Sequence, residues 1–346
     1  ELNSLTGKNK SSNVSQTNNL DSEEEIDYNN IIKVLTKKFK TYYARLLFFA
    51  FLTNDKVNSL ESILNVIDSK TNNRIANNLG LDKNILSIML DNIDPFKLSQ
   101  LDYKIQNINS LSNDNTIDKI DRAMIAVNKF DKLSLSEIVT PQNICNNMIE
   151  QIDKDDLINI VNNNGKILDI ASKEGEFTLA LYKKLVEFGI DIEHIRNCLY
   201  AIPTSTVAYE FTRKIFEILD LKVENISYKF NSYDLLEIKD LENNVDYEKI
   251  KKLLFQDCSF DEINIHSEKV KEMNGMKFDI IVGNPPYQEN ISKEDGNASL
   301  ARQLFPSFVK LSMELKPKYS TLIIPSKWFL ADAQDKSFIK LREYIL

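Results

Sequence analysis

The chain has 346 residues, enough for about two domains, and its 42% hydrophobic content predicts a globular core. With 51 acidic and 43 basic residues the net charge is −8. This charge argues against a protein that binds nucleic acid over its whole surface, but it does not exclude a local DNA-binding groove. Two histidines and three widely spaced cysteines predict neither a histidine triad nor a metal site. The longest apolar run, at 46–52, is too short to span a bilayer, and no signal peptide is visible, so we expect a cytoplasmic protein.

The first part of the chain carries a helical pattern after a polar leader. Residues 1–25 have little apolar content and are predicted to be disordered. Between 26 and 132, apolar residues recur at spacings of three and four, which is the period of amphipathic helices. This pattern predicts an all-helical domain over 26–132, with helices that include 58–68, 71–90 and 117–129, and with "NNLGLD" at 77–82 as a turn between two helices.

From residue 133 onward the pattern changes to alternating strands and helices. The predicted strands are 165–171, 197–203, 226–231, 278–283 and 319–325. The predicted helices between them are 176–188, 205–219 and 300–315. Such alternation predicts an α/β fold with a doubly wound, Rossmann-like parallel sheet. Ligands of these sheets bind beyond the carboxyl ends of the strands, so the loops that follow the strands are the predicted site.

The segment "NPPY" stands at one of these strand ends. Pro285 and Pro286 have no N–H group and a fixed φ, so they end the strand and hold their carbonyl groups in a stiff loop. Asn284 adds an amide oxygen and Tyr287 adds an aromatic face. Stiff hydrogen-bond acceptors beside a flat ring suit a planar group that carries an amine. The plain alternative is a proline turn with a packed tyrosine.

With this motif in place, residues 133–346 resemble the catalytic domain of the N6-adenine DNA methyltransferases, in the gamma-type motif order of restriction–modification enzymes. The resemblance implies that the side chain of Asn284 and the carbonyl of Pro285 accept hydrogen bonds from the amine of an adenine flipped out of duplex DNA. It implies that Tyr287 stacks on the base and that Pro286 completes the catalytic motif. It also implies S-adenosyl-L-methionine as the cofactor.

The segment "ILDIASKEGEF" at 167–177 resembles the cofactor-binding motif I of this family. The resemblance implies that Asp169 is the acid of this motif, and that Ala171 and Gly175 belong to the loop that binds S-adenosyl-L-methionine. Lys173 stands where the family has a first glycine, which normally lets the backbone approach the cofactor. This departure from the family pattern implies a reshaped pocket.

Two further strand ends carry candidates for the ribose and adenine of the cofactor. The family commonly has an acidic residue after the second strand, where this chain has Pro203, followed by Thr204 and Ser205 as the candidates. Asp234 matches the acid that binds the cofactor's adenine, and it is favoured because a predicted strand directly precedes it. Asp257 is the alternative, since the residues around it resemble an insertion.

Upstream, "TPQNICNNMI" at 140–149 resembles motif X of the family. Thr140 suits the N-cap of a helix and Pro141 its first position, and a helix start favours a carboxylate, here the methionine end of the cofactor. Near the end of the chain, Trp328 and Phe329 are expected either to wall the base pocket or to belong to the core.

The resemblance implies duplex DNA as a partner, together with other domains of a larger protein. The chain starts at Glu1 rather than Met and stops at Leu346 in a helical pattern, so we expect a fragment. In the gamma-type order the target-recognition domain follows the catalytic domain. Two other functions stay open: an NPPY methyltransferase that acts on protein glutamine or RNA, and a degenerate fold that serves as a DNA-binding or assembly scaffold.

Overall fold

The computed structural model describes residues 28–130, 139–256, 277–289, 302–326, 328 and 337–345. The chain separates into two units, residues 1–116 and residues 117–346. The predicted leader lies outside the described residues. Within the described ranges, no helix combines the length and the apolar content that crossing a membrane requires.

The described part of the first unit contains the helices α1 (Tyr28–Leu52), α2 (Leu60–Val66), α3 (Lys70–Leu79), α4 (Lys83–Asn92) and α5 (Pro95–Asn113). The helical stretch predicted at 71–90 is divided in two at the predicted "NNLGLD" turn, where Gly80 ends α3 in the left-handed conformation (φ 64°) and the Asp82 side chain caps α4. Helix α5 begins where the Asp94 carboxylate accepts two backbone N–H groups and Pro95 takes the first helical position.

A buried amide joins α5 to the loop that follows α1. Leu46 of α1 and Ile105 of α5 are fully buried in the core of this unit. The side chain of Asn109 donates to the carbonyl of Ala50 (2.9 Å) and accepts from the N–H of Val57 (3.1 Å). Because buried polar groups are costly unless they are paired, these bonds favour one conformation of the loop.

The strands described in the second unit are β1 (Ile167–Ser172), β2 (Leu199–Pro203), β3 (Ile280–Gly283), β4 (Gln288–Glu289), β5 (Arg302–Gln303) and β6 (Tyr319–Leu322). Four of them form a parallel sheet in the order β2-β1-β3-β6, while β4 and β5 form an antiparallel pair. The α/β class is therefore confirmed. Since the sheet is parallel, the carboxyl ends of its strands lie at one edge.

The helices described in the second unit are α6 (Lys119–Lys129), α7 (Gln142–Ile149), α8 (Lys154–Asn162), α9 (Glu176–Glu187), α10 (Ile192–Cys198), α11 (Thr206–Ile218), α12 (Ser232–Leu236), α13 (Tyr247–Gln256), α14 (Phe305–Glu314) and α15 (Ser337–Ile345). The helices predicted at 176–188 and 205–219 are confirmed as α9 and α11. Helix α6 packs on both of them. The second unit accordingly begins at residue 117, ahead of the predicted domain boundary at 132/133.

The central strands are apolar because both of their faces are covered. All six residues of β1 and all four residues of β3 are buried. Ile170 of β1 and Ile281 of β3 belong to one core cluster with Phe278, Phe308 and Leu235. A strand buried on both faces has a continuous apolar sequence rather than an alternating one, and the apolar run at 278–283 accordingly predicts a strand.

The strand predicted at 226–231 is wrong. Ile226 makes only an isolated parallel bridge with Ala201, whose carbonyl accepts the N–H of the following residue, Ser227. The Ser227 hydroxyl then donates to the carbonyl of Phe230 (2.6 Å), which closes a turn. Immediately afterwards Asn231 caps α12, so the capping preference of this side chain overrides the short apolar pattern.

Candidate active site

Strand β3 ends in a close approach to β1. A Cβ atom added to Gly283 (φ 155°) would lie 3.2 Å from Cγ2 of Ile170 and 3.4 Å from Oδ1 of Asp169. Both contacts are tighter than, or at the limit of, ordinary van der Waals distances, so glycine suits this position. Because the two strands lie so close together, Asn284 lies at the edge of the sheet beside the end of β1.

The side chain of Asn284 is fixed by a residue that lies far away in sequence. Its Nδ2 donates to Oγ1 of Thr140 at 3.2 Å. Within the described ranges, no group donates to Oδ1 of Asn284. Thr140 is buried and Asn284 is half-buried. One end of the amide is therefore held by the protein, while the oxygen is left for another donor.

The rest of the NPPY segment leads from the interior to the surface. Pro285 is buried, Pro286 is half-buried and the side chain of Tyr287 is 39% exposed. The carbonyl of Tyr287 accepts the N–H of Leu304 at 2.9 Å, next to the β4–β5 pair. Partial burial raises the pKa of the Tyr287 hydroxyl, so the ring is neutral at physiological pH. The backbone of the tyrosine is thus anchored while its side chain stays accessible.

Asp169 is a buried acid at the end of β1. Its Oδ1 accepts the N–H of Ala171 at 3.2 Å. In the part of the chain that the structure describes, its buried Oδ2 has no hydrogen-bond partner. Burial, reinforced by the charge of Glu176, raises the pKa of Asp169 to about 8. A ligand that brings a donor or a positive charge would satisfy this oxygen and stabilise the ionised form.

Glu176, in the first turn of α9, is a site residue that sequence reasoning missed. Its Oε1 accepts the N–H of Thr140 at 3.4 Å, and its Oε2 accepts the N–H of Glu174 at 3.0 Å. Gln142 adds a bond from its side-chain amide to the backbone carbonyl of Glu176 (3.0 Å). An acidic residue in the first turn of a helix was the available signal, since such a position favours negative charge.

The predicted N-cap role of Thr140 is wrong. Helix α7 begins at Gln142, with Pro141 in the cap position and no side-chain capping bond. Pro141 therefore stands one position before its predicted place. The physical reason is that the Thr140 hydroxyl is engaged by Asn284 and its N–H by Glu176.

The loop after β1 is packed within the protein. Gly175 adopts φ 78° as the N-cap of α9, and an added Cβ would lie 3.2 Å from Ile215 of α11. The neighbouring Lys173 and Glu174 are buried. The glycine is thus needed for a left-handed turn and for helix packing, whereas its role in binding a cofactor stays a prediction.

The ends of β1 and β2 are tied together beside this loop. The N–H of Thr204 donates to the carbonyl of Ser172 at 2.9 Å, and Thr204 is buried. Ser205 serves as the N-cap of α11. Ser232 is a further residue that no sequence motif pointed to. Its hydroxyl lies 3.0 Å from the carbonyl of Ile170 and donates also towards two carbonyls of β2, those of Ile202 and Pro203.

Asp234 makes its described hydrogen bonds within its own turn. Its Oδ2 accepts the N–H of Asn231 at 2.9 Å, and Oδ1 of Asn231 accepts the N–H of Asp234 at 3.1 Å. The residue is exposed, and no strand precedes it, so the reason for preferring it has been lost. The rival Asp257 lies outside the described residues.

Trp328 has apolar neighbours. It is partly buried against a cluster that contains Phe305 of α14 together with Phe338 and Leu341 of α15. This packing favours a position of Trp328 in the hydrophobic core over one in the wall of the base pocket. Phe329 lies outside the described residues.

A cavity of about 560 Å³ occupies a different place in the second unit. It is lined by the segment between α7 and α8, by Lys184 and Phe188 near the end of α9, and by Tyr319 at the start of β6. None of the predicted site residues lines it. The candidate site is therefore defined by its hydrogen bonds rather than by this cavity.

Comparison with known proteins finds similarity in the second half of the chain. Residues 197–346 match the model of a family described as Eco57I restriction-modification methylase. The resemblance to adenine-specific methylases is confirmed. A curated relative from Mycoplasma pneumoniae, named an uncharacterized adenine-specific methylase, is 38% identical over 91 residues. This match covers 25% of the chain and 21% of the relative, so the chain spans about a fifth of that relative's length.

A much longer chain in a cryoEM structure of a DrdV–DNA complex is a solved structure with similarity to this chain. It is 14% identical, with a TM-score of 0.44 over 92% of this chain and 36% of that chain. The family match includes β2, β3 and the NPPY segment, whereas Thr140, Asp169 and Glu176 precede it.

Proposed function

We propose that this chain transfers a methyl group from S-adenosyl-L-methionine to the N6 amine of adenine in duplex DNA. The observation that carries the proposal is the Asn284 amide, whose Nδ2 is held by Thr140 at the end of β3. Its oxygen faces no donor from the described residues. The proposed catalytic domain is a doubly wound, Rossmann-like unit, preceded by an all-helical domain.

The acceptor amine is bound by two oxygens of the NPPY segment. In this proposal Oδ1 of Asn284 and the carbonyl of Pro285 accept its two N–H groups. These bonds draw the nitrogen lone pair out of conjugation with the ring and aim it at the methyl group. Pro286 keeps this segment stiff because its φ is fixed. The amine becomes acidic only as it is methylated, so the proton leaves to solvent without a histidine base.

Tyr287 stacks on the adenine after the base has left the duplex. Its side chain is 39% exposed at the same strand end, while its backbone is anchored to Leu304. Stacking on an aromatic side chain contributes about 1–3 kcal/mol per base. This contribution offsets part of the cost of unstacking the adenine from its neighbours.

The residues at the ends of β1 and β2 fit the cofactor. When bound, S-adenosyl-L-methionine supplies an electrophilic methyl group on a sulfonium. The buried Oδ2 of Asp169 suits a positively charged group such as the cofactor's ammonium. We propose that Ala171, Gly175 and Thr204 line the same pocket, and that Asp234 binds the cofactor's adenine through Oδ1 while Oδ2 keeps its capping bond to Asn231.

The proposed biological setting is a restriction–modification protein. The partners are duplex DNA and further domains of a larger protein that recognise the target sequence. The family match over 197–346 supports this setting, because that family is described as a restriction-modification methylase.

The test is a product analysis. The protein that contains this chain is incubated with S-adenosyl-L-methionine labelled in its methyl group and with duplex DNA, single-stranded RNA or a glutamine-containing protein. Label in N6-methyladenine after digestion of the DNA supports the proposal. Label confined to RNA or to protein glutamine would contradict it, and cofactor binding without transfer to any substrate would favour the scaffold alternative.

A further inference from the structure

We infer that Thr140 is a positioning residue that sets the Asn284 amide for methyl transfer, and that Glu176 holds Thr140 in place. The inference rests on the proposed function and assigns a specific task to a residue predicted to bind the cofactor. Its basis is a chain of hydrogen bonds that runs from the N–H of Glu174 through Glu176 and Thr140 to Asn284.

The Asn284 side chain requires such support because its amide plane is not set by its own torsions. Rotation about the last side-chain bond of asparagine is broad and roughly two-fold, so amide ends of nearly equal shape can exchange places. An exchanged amide would present its NH₂ group to the amine of adenine, donor facing donor. With Nδ2 bound to Thr140 at 3.2 Å, the oxygen is the end that remains for the amine.

Thr140 is in turn fixed through its backbone. Its N–H donates to Oε1 of Glu176 at 3.4 Å, and its carbonyl lies 3.8 Å from Sγ of Cys145, which donates to it. The residue is 3% exposed, so water has little access to replace these bonds. The hydroxyl therefore occupies a defined position relative to the end of β3.

Glu176 connects this arrangement to the loop after β1. Its carboxylate accepts backbone N–H groups from Glu174 and Thr140, and its own carbonyl accepts from Gln142. The side chain is 1% exposed and lies in the first turn of α9, where the helix dipole favours a negative charge. The loop after β1 and the acceptor amide are therefore held by one buried carboxylate.

The test compares Thr140→Val with Thr140→Ser in the complete protein that carries this chain. Valine has nearly the same shape but no hydroxyl, whereas serine keeps the hydroxyl. We expect Thr140→Val to lower kcat by about 10- to 100-fold through misplacement of the amide. Cofactor Kd should stay within about threefold, and Thr140→Ser should restore kcat to within about threefold.

Thr53→Val is the matched control. Thr53 lies in the first unit and donates its buried hydroxyl to Oδ1 of Asn72 at 2.7 Å. This variant also removes a buried threonine–asparagine hydrogen bond, so it reports how much of any loss comes from lower stability alone. We expect its kcat to equal that of the wild type.

A second readout does not need methyl transfer. In protein labelled with ¹⁵N-asparagine, the side-chain signal of Asn284 is identified by its disappearance in Asn284→Asp. We expect Thr140→Val to shift this signal and to speed its exchange with water, and Thr53→Val to leave it unchanged. If no variant or wild type methylates DNA, the proposed function fails while this readout still decides the positioning role.

Three results would overturn the inference. The first is an unchanged Asn284 signal in Thr140→Val. The second is a Thr140→Ser variant that methylates as slowly as Thr140→Val. The third is a cofactor Kd that rises by the same factor as kcat falls, because Thr140 would then act on the cofactor rather than on Asn284.

Discussion

At the residue scale, the candidate site combines side chains that are firmly held with oxygen atoms that have no hydrogen-bond partner in the described part of the chain. Asn284 is held at its nitrogen by Thr140, and Asp169 is held at Oδ1 by the N–H of Ala171. The second oxygen of Asp169 and the oxygen of Asn284 lack donors among the described residues. Preorganised groups of this kind stabilise a transition state without having to reorient during the reaction.

Tyr287 gives a prediction about stacking. Tyr287→Phe should retain most of the activity, because stacking uses the ring and the described structure shows no hydrogen bond from the hydroxyl. Tyr287→Ala should weaken retention of the flipped base by about 1–3 kcal/mol. The measurement is DNA affinity with a duplex that contains 2-aminopurine at the target, whose fluorescence rises when the base is flipped. Equal loss of signal in both variants would contradict the stacking role.

Asp169 gives a prediction about pH. Burial and the charge of Glu176 raise its pKa to about 8, while Lys173 acts in the opposite direction. If the carboxylate binds the positive end of the cofactor, affinity should fall about tenfold for each pH unit below about 8. Calorimetry of S-adenosyl-L-methionine binding from about pH 6 to about pH 9 measures this slope.

Asp169→Asn is the control for this slope, since an amide does not titrate in this range. A wild-type slope that persists in the variant would assign the titration to another group.

The raised pKa of Asp169 also makes the stability of the folded chain depend on pH. In the folded chain Asp169 keeps its proton at pH values above 3.8, whereas in the unfolded chain it loses the proton near pH 3.8. The free energy of unfolding therefore decreases as the pH rises from 3.8 through about 8.

At the element scale, the loops after the strands are fixed by glycines and caps. Gly175 starts α9 with φ 78° and packs against Ile215 of α11. Gly283 ends β3 against β1. These two glycines bring the helix and strand ends close together, which positions the side chains of the site.

Gly175→Ala should destabilise the second unit by more than Gly189→Ala does. Both glycines have a left-handed φ (78° and 74°), so both variants carry a strain of about 1–2 kcal/mol. Of the two, only Gly175 is closely packed: an added Cβ there would lie 3.2 Å from Ile215, whereas an added Cβ at Gly189 would have no atom of the described residues within 4 Å. Urea denaturation measures both free energies of unfolding. Equal losses would contradict the close packing of Gly175 against Ile215.

The sequence predicts the elements whose signals are strong and local. Strands β1 and β3 follow from continuous apolar runs, and α9 and α11 from helical periodicity. The strand predicted at 226–231 fails because the turn at Ser227 and the cap at Asn231 are decided by side-chain hydrogen bonds. The bond between Thr140 and Asn284 joins residues 144 positions apart, so no local pattern could reveal it.

At the scale of the whole molecule, the chain divides between helices α5 and α6. Helix α6 belongs to the second unit because it packs on α9 and α11. Its Ala123 and Val127 are buried, and Phe130, just beyond it, meets Phe211 edge to face with 5.2 Å between ring centroids. The boundary depends on this packing, which helical periodicity alone does not reveal.

A truncation prediction follows from this boundary. A fragment that starts at residue 117 should be more soluble and more stable than one that starts at residue 133, because the shorter fragment exposes the faces of α9 and α11 that α6 covers. Burial of apolar area contributes about 25 cal/mol per Å², so loss of a helix face has a measurable effect. Thermal unfolding of the two fragments at equal concentration makes the comparison. Identical melting temperatures would show that α6 does not belong to the core of the second unit.

The central claim is that Asn284 binds the amine that receives the methyl group. The most direct measurement is transfer of a tritiated methyl group to an adenine-containing duplex by wild type and Asn284→Ala, run beside a cofactor titration. We predict that Asn284→Ala lowers the rate by about 10²–10³, comparable to the loss of one oxyanion donor, with cofactor affinity nearly unchanged. Methylation of the duplex by Asn284→Ala at the wild-type rate would contradict the account, and NPPY would then be only a turn.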